Sequence, residues 1–415
     1  MNIKYRLIIM NFLQYAVWGA WLISFGGYLS GKLDFTGTEI GSFYATMGIA
    51  SLFMPAITGI IADKWIPAQK LLGICHIISA ALLYLASFET TYTSLYPIML
   101  ASVCFYMPTI ALSNSVAYNA LNRANLDTVK TFPPIRVWGT VGFICSMNIV
   151  GFLKYDVSSM QLVFAAIVGL ILAVYSFTLP NCPTATPEEQ KRMKDPFGLK
   201  AFALFKQRKM AVFFIFCMLL GASLQITNAF ANGYLTDFGK IPEFADTFGV
   251  QHANTLISLS QVSETLCILL IPFALRKFGI KRVMLISMVA WVFRFGLLGL
   301  GDPGSGVWML ILSMLVYGVA FDFFNISGSL YVDQETDHNM RSSAQGLFMI
   351  MTNGLGAILG SYAAGAIVDM YGWPNSWYIF AGYALVVTVL FAIFFKYKHE
   401  PTCKDTIKQE ESTAV

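Results

Sequence analysis

The chain has 415 residues, of which 56% are hydrophobic and only 12% are charged, and its formal net charge is +4. A soluble protein of this length carries about twice as many charged residues. The composition therefore indicates an integral membrane protein with room for about ten to fourteen membrane helices, and it excludes a globular enzyme and a nucleic-acid-binding domain.

Twelve apolar runs in the sequence are long enough to cross a bilayer. They lie at about 7–30, 41–62, 71–88, 95–121, 135–153, 160–179, 211–236, 254–275, 283–300, 306–332, 344–368 and 376–395. The first run follows Lys4 and Arg6 directly and is longer than the core of a cleavable signal peptide, so we expect it to remain as a helix. The sequence thus predicts an all-α membrane protein with twelve transmembrane helices.

Lysine and arginine are distributed unevenly between the two sets of predicted loops. With both termini placed in the cytoplasm, 22 of the 27 basic residues lie in cytoplasmic segments and 3 lie in loops on the other side. The remaining two, Arg136 and Arg294, fall inside predicted spans. Because cytoplasmic loops carry an excess of Lys and Arg, this distribution predicts an N-in/C-in topology.

The longest polar stretch, 180–210, separates six predicted spans from six. Its start, "PNCPTATPEEQKRMKDP", favours a disordered cytoplasmic linker, and "GLKAFALFK" near its end favours a helix. We therefore expect an N-terminal six-helix bundle at 1–179, a C-terminal six-helix bundle at 211–396 and a cytoplasmic tail at 397–415.

Short basic turns occur at matching places in the two halves, in "GIIADKWIPAQK" after the second span and in "RKFGIKR" after the eighth. This pattern favours a parallel internal repeat, the arrangement that builds a transporter around a cavity near the membrane midplane. The alternative is that basic inside loops occur in any helical membrane protein with an even number of spans.

Four charged residues stand within predicted spans: Arg136, Glu264, Arg294 and Asp322. Each costs about 2.5–3.5 kcal/mol on insertion scales, so we expect each to face a cavity or a partner. Arg136 shares one helical face with Thr140 and Phe143, a combination that suits a polar ligand with a flat part. The alternative for Arg136 is a side chain that extends to the membrane interface.

Amides and a carboxylate recur at helical spacing in the seventh and eighth spans. Gln225 and Asn228 are three residues apart in "GASLQITNAF", and Gln261 and Glu264 have the same spacing in "SQVSETL". These groups offer several donors and acceptors to a neutral ligand rich in hydroxyl and imide groups. The alternative is hydrogen bonding between helices, worth only about 0.6 kcal/mol per contact, for which Glu264 is a costly choice.

The tenth span contains "YGVAFDFFNISGSLY", in which Tyr317 and Phe321 share one face and Asp322 lies one step round the helix. A carboxylate among aromatic rings is suited to load and release a proton, so Asp322 is the first candidate for proton coupling. A buried ion pair between Asp322 and Arg136 or Arg294 is an alternative that does not exclude this role. For Arg294 itself, which has no polar companions on its helix, we predict a structural role.

In the first span, Gln14, Trp18 and Trp21 share a face that either lines the cavity or anchors the helix at the interface. No histidine pair has the spacing of metal ligands, and no "GxxxxGK[ST]" phosphate loop is present, so we expect neither a metal nor another cofactor. The seven cysteines are scattered, mostly in apolar runs, and are typical of small core residues.

The strings "FPPIRVWGT", "MLLGASLQITN", "YGVAFDFFNISGS" and "SAQGLFMIMTNG" resemble the bacterial nucleoside:proton symporters of the nucleoside permease G type, within the major facilitator superfamily. The resemblance runs from the first span to "FKYKH" at 395–399. It implies a major facilitator fold of two six-helix bundles and uptake of nucleosides with protons across a Gram-negative inner membrane. It also implies substrate binding or proton coupling at Arg136, Thr140, Phe143, Gln225, Asn228, Gln261, Glu264, Tyr317, Phe321 and Asp322.

Together with the polar residues in the spans, the resemblance predicts a secondary transporter that imports nucleosides by proton symport through alternating access, with Asp322 and Glu264 coupling the proton. We expect it to work as a monomer in the lipid bilayer. A proton-coupled sugar or glycoside symporter is the alternative within transport, because amides and aromatic rings also bind sugars. A non-transporting membrane sensor is the alternative of a different class.

Overall fold

The computed structural model describes residues 2–184, 199–336 and 340–397, and over these ranges the protein consists of helices joined by short connections. The disordered segment predicted at the start of the linker falls largely on 185–198, outside the described residues. The predicted tail at 397–415 is also outside them, except for Tyr397.

The helices follow one another with few residues between them. In the N-terminal half they are α1 (Ile3–Gly19), α2 (Phe25–Lys32), α3 (Gly37–Lys64), α4 (Ala68–Ala86), α5 (Tyr92–Arg123), α6 (Thr128–Phe152) and α7 (Met160–Ser176). From residue 199 onwards they are a 3₁₀ helix (Leu199–Lys206), α8 (Arg208–Asp237), a 3₁₀ turn (Phe238–Lys240), α9 (Phe248–Gln251), α10 (Ala253–Leu300), α11 (Val307–Glu335), α12 (Arg341–Met349), a π-helical segment (Ile350–Gly356), α13 (Ala357–Tyr371) and α14 (Asn375–Phe394).

Nine helical segments of the described chain are long and apolar enough to cross a membrane. They are Gly37–Lys64, Ala68–Ala86, Tyr92–Arg123, Lys130–Phe152, Arg208–Lys240, Ala253–Leu300, Val307–Glu335, Ser343–Tyr371 and Asn375–Phe394. All nine overlap predicted spans, so the prediction of an all-α membrane protein is confirmed. The sixth predicted span corresponds to α7, which is apolar but has only 17 residues.

The first predicted span, 7–30, is divided into α1 and α2 by a side chain from another helix. The Tyr44 hydroxyl of α3 donates a hydrogen bond to the carbonyl of Leu22 and accepts one from the backbone N–H of Gly26, at 2.6 and 3.0 Å. In an uninterrupted helix those two backbone groups would bond each other. A side chain inserted into the backbone ladder therefore breaks the helix here, which the apolar pattern of the sequence does not reveal.

The eighth and ninth predicted spans belong to one 48-residue element, α10, which is broken at Gly279. Gly279 has φ 74° and ψ 165°, a conformation that other residues rarely adopt. The predicted basic turn "RKFGIKR" is therefore a single glycine break with no separate loop. The fifth span also differs, because the apolar run begins at about 135, whereas α6 begins at Thr128 and contains Pro133 and Pro134.

The two halves meet at the end of the protein that carries the connections 33–36, 153–159 and 238–252, called here the far end. There the Thr255 hydroxyl of α10 donates to the Asn148 side chain of α6 at 2.7 Å, and Lys154 donates to the carbonyl of Gln251 at 2.8 Å. Farther along, α3 packs so closely on α13 that a Cβ at Gly41 would overlap the carbonyl oxygen of Ser361. The opposite end, called here the terminal end, carries residues 2 and 397.

Candidate functional site

A cavity of about 710 Å³ lies between the two halves, with α1, α3, α5 and α6 on one side and α8, α10, α11 and α12 on the other. It extends to the terminal end, where Phe202 of the linker and Ser343 line it. All nine residues predicted to bind substrate line this one cavity: Arg136, Thr140, Phe143, Gln225, Asn228, Gln261, Glu264, Tyr317 and Phe321. An apolar chamber with a few convergent polar groups is the usual form of a small-molecule site.

The N-terminal wall is built around Arg136. Its guanidinium carbon lies 3.8 Å from the centroid of the Tyr15 ring, so α1 supports the side chain that α6 contributes. Thr140 and Phe143 follow at the same helical face and also line the cavity. The predicted face of guanidinium, hydroxyl and ring is therefore present, and the alternative of an arginine extended to the interface does not apply to the described structure.

The C-terminal wall carries the amides and one carboxylate. The side-chain carbonyl of Gln225 on α8 is buried and has no hydrogen-bond partner in the part of the chain that the structure describes. Gln261 and Glu264 face the same cavity from α10. Glu264 also interacts electrostatically with Arg136 on the opposite wall. The cavity thus presents a guanidinium and a carboxyl group from different halves.

Two aromatic rings on α11 complete the C-terminal wall. The rings of Tyr317 and Phe321 are nearly parallel, with centroids 5.9 Å apart and an interplanar angle of 16°. The Tyr317 hydroxyl also interacts with the Gln261 side chain. This wall therefore combines flat apolar surfaces with adjacent polar groups, which suits a planar ligand that carries hydrogen-bonding edges.

Asp322 lies behind the cavity wall. It is 4% exposed and absent from the residues that line the chamber, and its Oδ2 atom has no hydrogen-bond partner among the described residues. Asp322 interacts electrostatically with Glu264, so the two acids extend from the cavity into the protein. In the described ranges neither Arg136 nor Arg294 forms an ion pair with Asp322.

The structure decides which residues of the first span face the cavity. Trp18 lines it, whereas Trp21 is buried against Phe25, with ring centroids 5.6 Å apart. Gln14 is buried inside the N-terminal half, where it donates to Thr109 at 2.7 Å and contacts His76 at 2.9 Å. The predicted face of the first span is therefore divided, with Trp18 at the cavity and Gln14 and Trp21 in the core.

Tyr15 and Asn114 are among the residues that line the cavity and that sequence reasoning missed. Asn114 on α5 lies in the apolar string "ALSNSVAYN", and its side-chain carbonyl is buried without a hydrogen-bond partner in the described chain. Like Gln225, Asn114 is an amide inside an apolar span, so the same signal could have identified it. Tyr15 has no such signal, because an aromatic residue in a membrane helix is unremarkable.

Two helical halves around a central cavity with convergent polar groups, with one end sealed and the other approached by the cavity, define a secondary transporter. The model of the family described as "Nucleoside H+ symporter" matches residues 1–400. The chain is 50% identical to the xanthosine permease of Escherichia coli (strain K12), over 97% of this chain and 98% of that protein. It is 48% identical to the nucleoside permease NupG of the same organism, over 98% and 100% of the two chains.

A crystal structure of the nucleoside transporter NupG superimposes with a TM-score of 0.89 at 48% identity, covering 96% of this chain and 100% of that chain. The chain therefore belongs to the nucleoside H+ symporter family. It is a membrane transporter and not an enzyme. The resemblance stated from the four sequence strings is confirmed.

Proposed function

We propose that this protein imports nucleosides together with protons, and that the site lies in the cavity between the two halves. The observation that carries the proposal is the convergence of nine polar and aromatic side chains from both halves on one chamber. Membership of the nucleoside H+ symporter family supports the same substrate class.

The nucleoside would be held by two kinds of contact. Gln225, Asn228, Gln261 and Arg136 would bond the ribose hydroxyls and the edge of the base, assisted by Thr140. The base would stack on Phe143, Phe321 or Tyr317. Support comes from the unpartnered carbonyl of Gln225, which a ligand N–H or O–H would satisfy, and from the parallel rings on α11.

The proton would be carried by Asp322, assisted by Glu264. Glu264 faces the cavity and interacts electrostatically with Asp322, so a proton taken from the cavity side reaches a buried acid through one neighbour. Protonation removes one of two adjacent negative charges and changes the relative free energies of the conformations. Return of the proton on the other side of the membrane completes the cycle.

We further infer the membrane arrangement from the positions of the basic residues. Twelve spans result when α1 and α2 form one span, the two parts of α10 form two, and α12, the π-helical segment and α13 form one, with the four-residue α9 left out. The bundles would then lie at 1–179 and 211–396. The linker at 180–210 and the tail at 397–415 would be cytoplasmic, so the terminal end faces the cytoplasm. The described conformation would then be inward-facing, in a bacterial inner membrane.

We infer that a single chain suffices for transport, because both walls of the cavity come from the same chain. The surrounding lipid would contact the many large apolar side chains that are exposed on the helices, such as Leu269 at 74% and Val174 at 69%.

Transport by purified protein in proteoliposomes tests this function directly. Uridine, adenosine and xanthosine would each be followed as radiolabelled substrates under an imposed pH gradient, with a proton uncoupler as the control. We expect concentrative uptake of at least one nucleoside that the uncoupler abolishes. Uptake competed by free sugars and not by nucleosides would instead indicate the glycoside symporter, and binding without flux would indicate the sensor.

A further inference from the structure

Arg294 is a buried cation located behind the C-terminal wall of the cavity. Its side chain is 0% exposed, and it lies in the part of α10 after Gly279, from which no residue lines the cavity. No carboxylate in the described part of the chain pairs with it. Burying an unpaired guanidinium is costly, so its presence calls for a specific role.

The guanidinium connects three helices. Its Nη1 donates to the backbone carbonyl of Ser313 on α11 at 2.8 Å and lies 3.4 Å from the hydroxyl of Ser260 on α10. Its Nε lies 3.4 Å from the hydroxyl of Thr227 on α8. Nη2 has no partner among the described residues. The bond to the Ser313 carbonyl is the shortest of the three, so Arg294 holds α11 more firmly than it holds α8.

Each of these three partners lies beside a predicted substrate contact. Asn228 and Gln261 directly follow the two hydroxyl partners in sequence, and Tyr317 comes one helical turn after the carbonyl partner. The guanidinium carbon also lies 4.6 Å from the centroid of the Tyr317 ring. Tyr317 faces the cavity with the same ring that Arg294 supports from behind.

We propose that Arg294 is a positioning residue that holds the Tyr317 ring in the cavity wall and thereby increases nucleoside affinity. A guanidinium stays charged under all physiological conditions, so this role is distinct from that of the acids that exchange protons. The proposal rests on the proposed function, since it assumes that Tyr317 contacts the nucleoside.

A double-mutant cycle on the full-length purified protein tests the role. The probe is the tightest binder among uridine, adenosine and xanthosine, and its Kd is measured by calorimetry for wild type, R294Q, Y317A and the double variant. We expect R294Q to weaken binding about tenfold when Tyr317 is present and less than about twofold when it is absent. A purely structural role predicts equal losses in both backgrounds and would overturn the inference, as would unchanged affinity of R294Q.

Ser287 provides a matched control. It is fully buried on α10 and donates a hydrogen bond to the carbonyl of Ala320 on α11, so S287A removes a bond between the same two helices without touching Arg294. We expect S287A to lower Tm and to leave Kd within about twofold.

A lysine variant at Arg294 and nucleoside binding by the wild type complete the test. If R294Q shows no folding transition, R294K replaces it in the same cycle, because a lysine retains the cation while losing the planar fork. We expect R294K to weaken binding several-fold only when Tyr317 is present, and equal losses would again overturn the inference. Absence of nucleoside binding by the wild-type protein would overturn the proposed function, and the role of Arg294 with it.

Discussion

Asp369 at the end of α13 accepts hydrogen bonds from Thr38 at the start of α3, and the two residues belong to opposite halves of the chain. One carboxylate oxygen lies 2.8 Å from the Thr38 backbone nitrogen and 2.6 Å from its hydroxyl. The other oxygen lies 2.5 Å from the backbone nitrogen of Gly37. A carboxylate is disfavoured at the end of its own helix and favoured at the start of another, so this contact stabilises the sealed far end.

Replacing Asp369 with asparagine should weaken the seal. An amide is a poorer acceptor than a carboxylate and carries no charge to complement the start of α3. We expect the backbone amides of 37–38 to exchange with deuterium roughly tenfold faster in D369N, as followed by mass spectrometry of the purified protein.

Glu39 supplies the control for that experiment. Its carboxylate caps the same helix by bonding the backbone nitrogen of Thr36 at 2.9 Å, without contact between the halves. E39Q should therefore alter exchange near residue 36 and leave the separation of the halves unchanged. Equal exchange at 37–38 in D369N and wild type would show that the contact does not stabilise the seal.

The close approach of α3 to α13 predicts that Gly41 tolerates no side chain. A methyl group there would overlap the Ser361 carbonyl oxygen, whereas nothing lies within 4 Å of a Cβ at Gly31, another helical glycine at the far end. We expect G41A to lose about 1–3 kcal/mol of stability and most of its transport, and G31A to keep both. Thermal unfolding and uptake by the two variants are the measurements, and an active, stable G41A would contradict this packing.

Gln225 should contribute directly to nucleoside affinity. Its carbonyl has no protein partner in the described residues, so Q225A should weaken binding about three- to tenfold, as expected for one neutral hydrogen bond. Gln69 is the matched control, because its amide is paired with Asn181 and Cys182 outside the cavity. Calorimetric titration of both variants decides the matter, and a larger loss of affinity in Q69A would argue against the site.

Asp322 should be required for coupling and much less for binding. Because it lies behind the wall, D322N should change nucleoside Kd by no more than about threefold. A side chain that cannot ionise leaves no proton to couple, so we expect D322N to retain exchange of nucleoside down its gradient while losing accumulation driven by a pH gradient. Full proton-driven accumulation by D322N would remove this residue from the mechanism.

Asp156, in the connection between α6 and α7, predicts a pH dependence of stability. The residue is 7% exposed, and burial raises the pKa of its carboxyl above the ordinary value of 3.8. The folded protein therefore binds this proton more tightly than the unfolded chain, so stability falls as the pH rises through the raised pKa and stays low above it. We expect D156N to raise Tm at neutral pH. We also expect D156N to reduce the fall in Tm that the wild type shows as the pH rises through the raised pKa of Asp156.

An exposed carboxylate at the same end, Asp246, serves as the comparison for that measurement. D246N should leave the pH profile of Tm close to that of the wild type. A Tm of D156N equal to that of the wild type at every pH would mean that the charged form of Asp156 carries no penalty in the folded protein.

The membrane class and the candidate site could be predicted from the sequence to different degrees. Long apolar runs identified every helix that is long enough to span, because the bilayer demands length and apolarity from each helix separately. The break at Gly279 falls within the turn predicted between the eighth and ninth spans. The division of the first span could not be predicted, because it depends on Tyr44 from another helix.

Site residues were identified where a single helix contained the signal. Gln225 and Glu264 are polar residues in otherwise apolar runs, and each faces the cavity. Asn114 carried the same signal and was overlooked, whereas the support that Tyr15 gives to Arg136 joins residues 121 positions apart in sequence.

By itself the sequence determined that this protein is a helical membrane protein and which of its helices carry polar groups that lipid would not accept. Only the tertiary structure decided that Trp18 faces the cavity while Gln14 does not, that Asp322 lies behind the wall, and that Asp369 reaches the start of α3. The physical reason is that helical periodicity defines a face relative to its own axis. The rotation and depth of that axis are set by packing against helices that are distant in sequence.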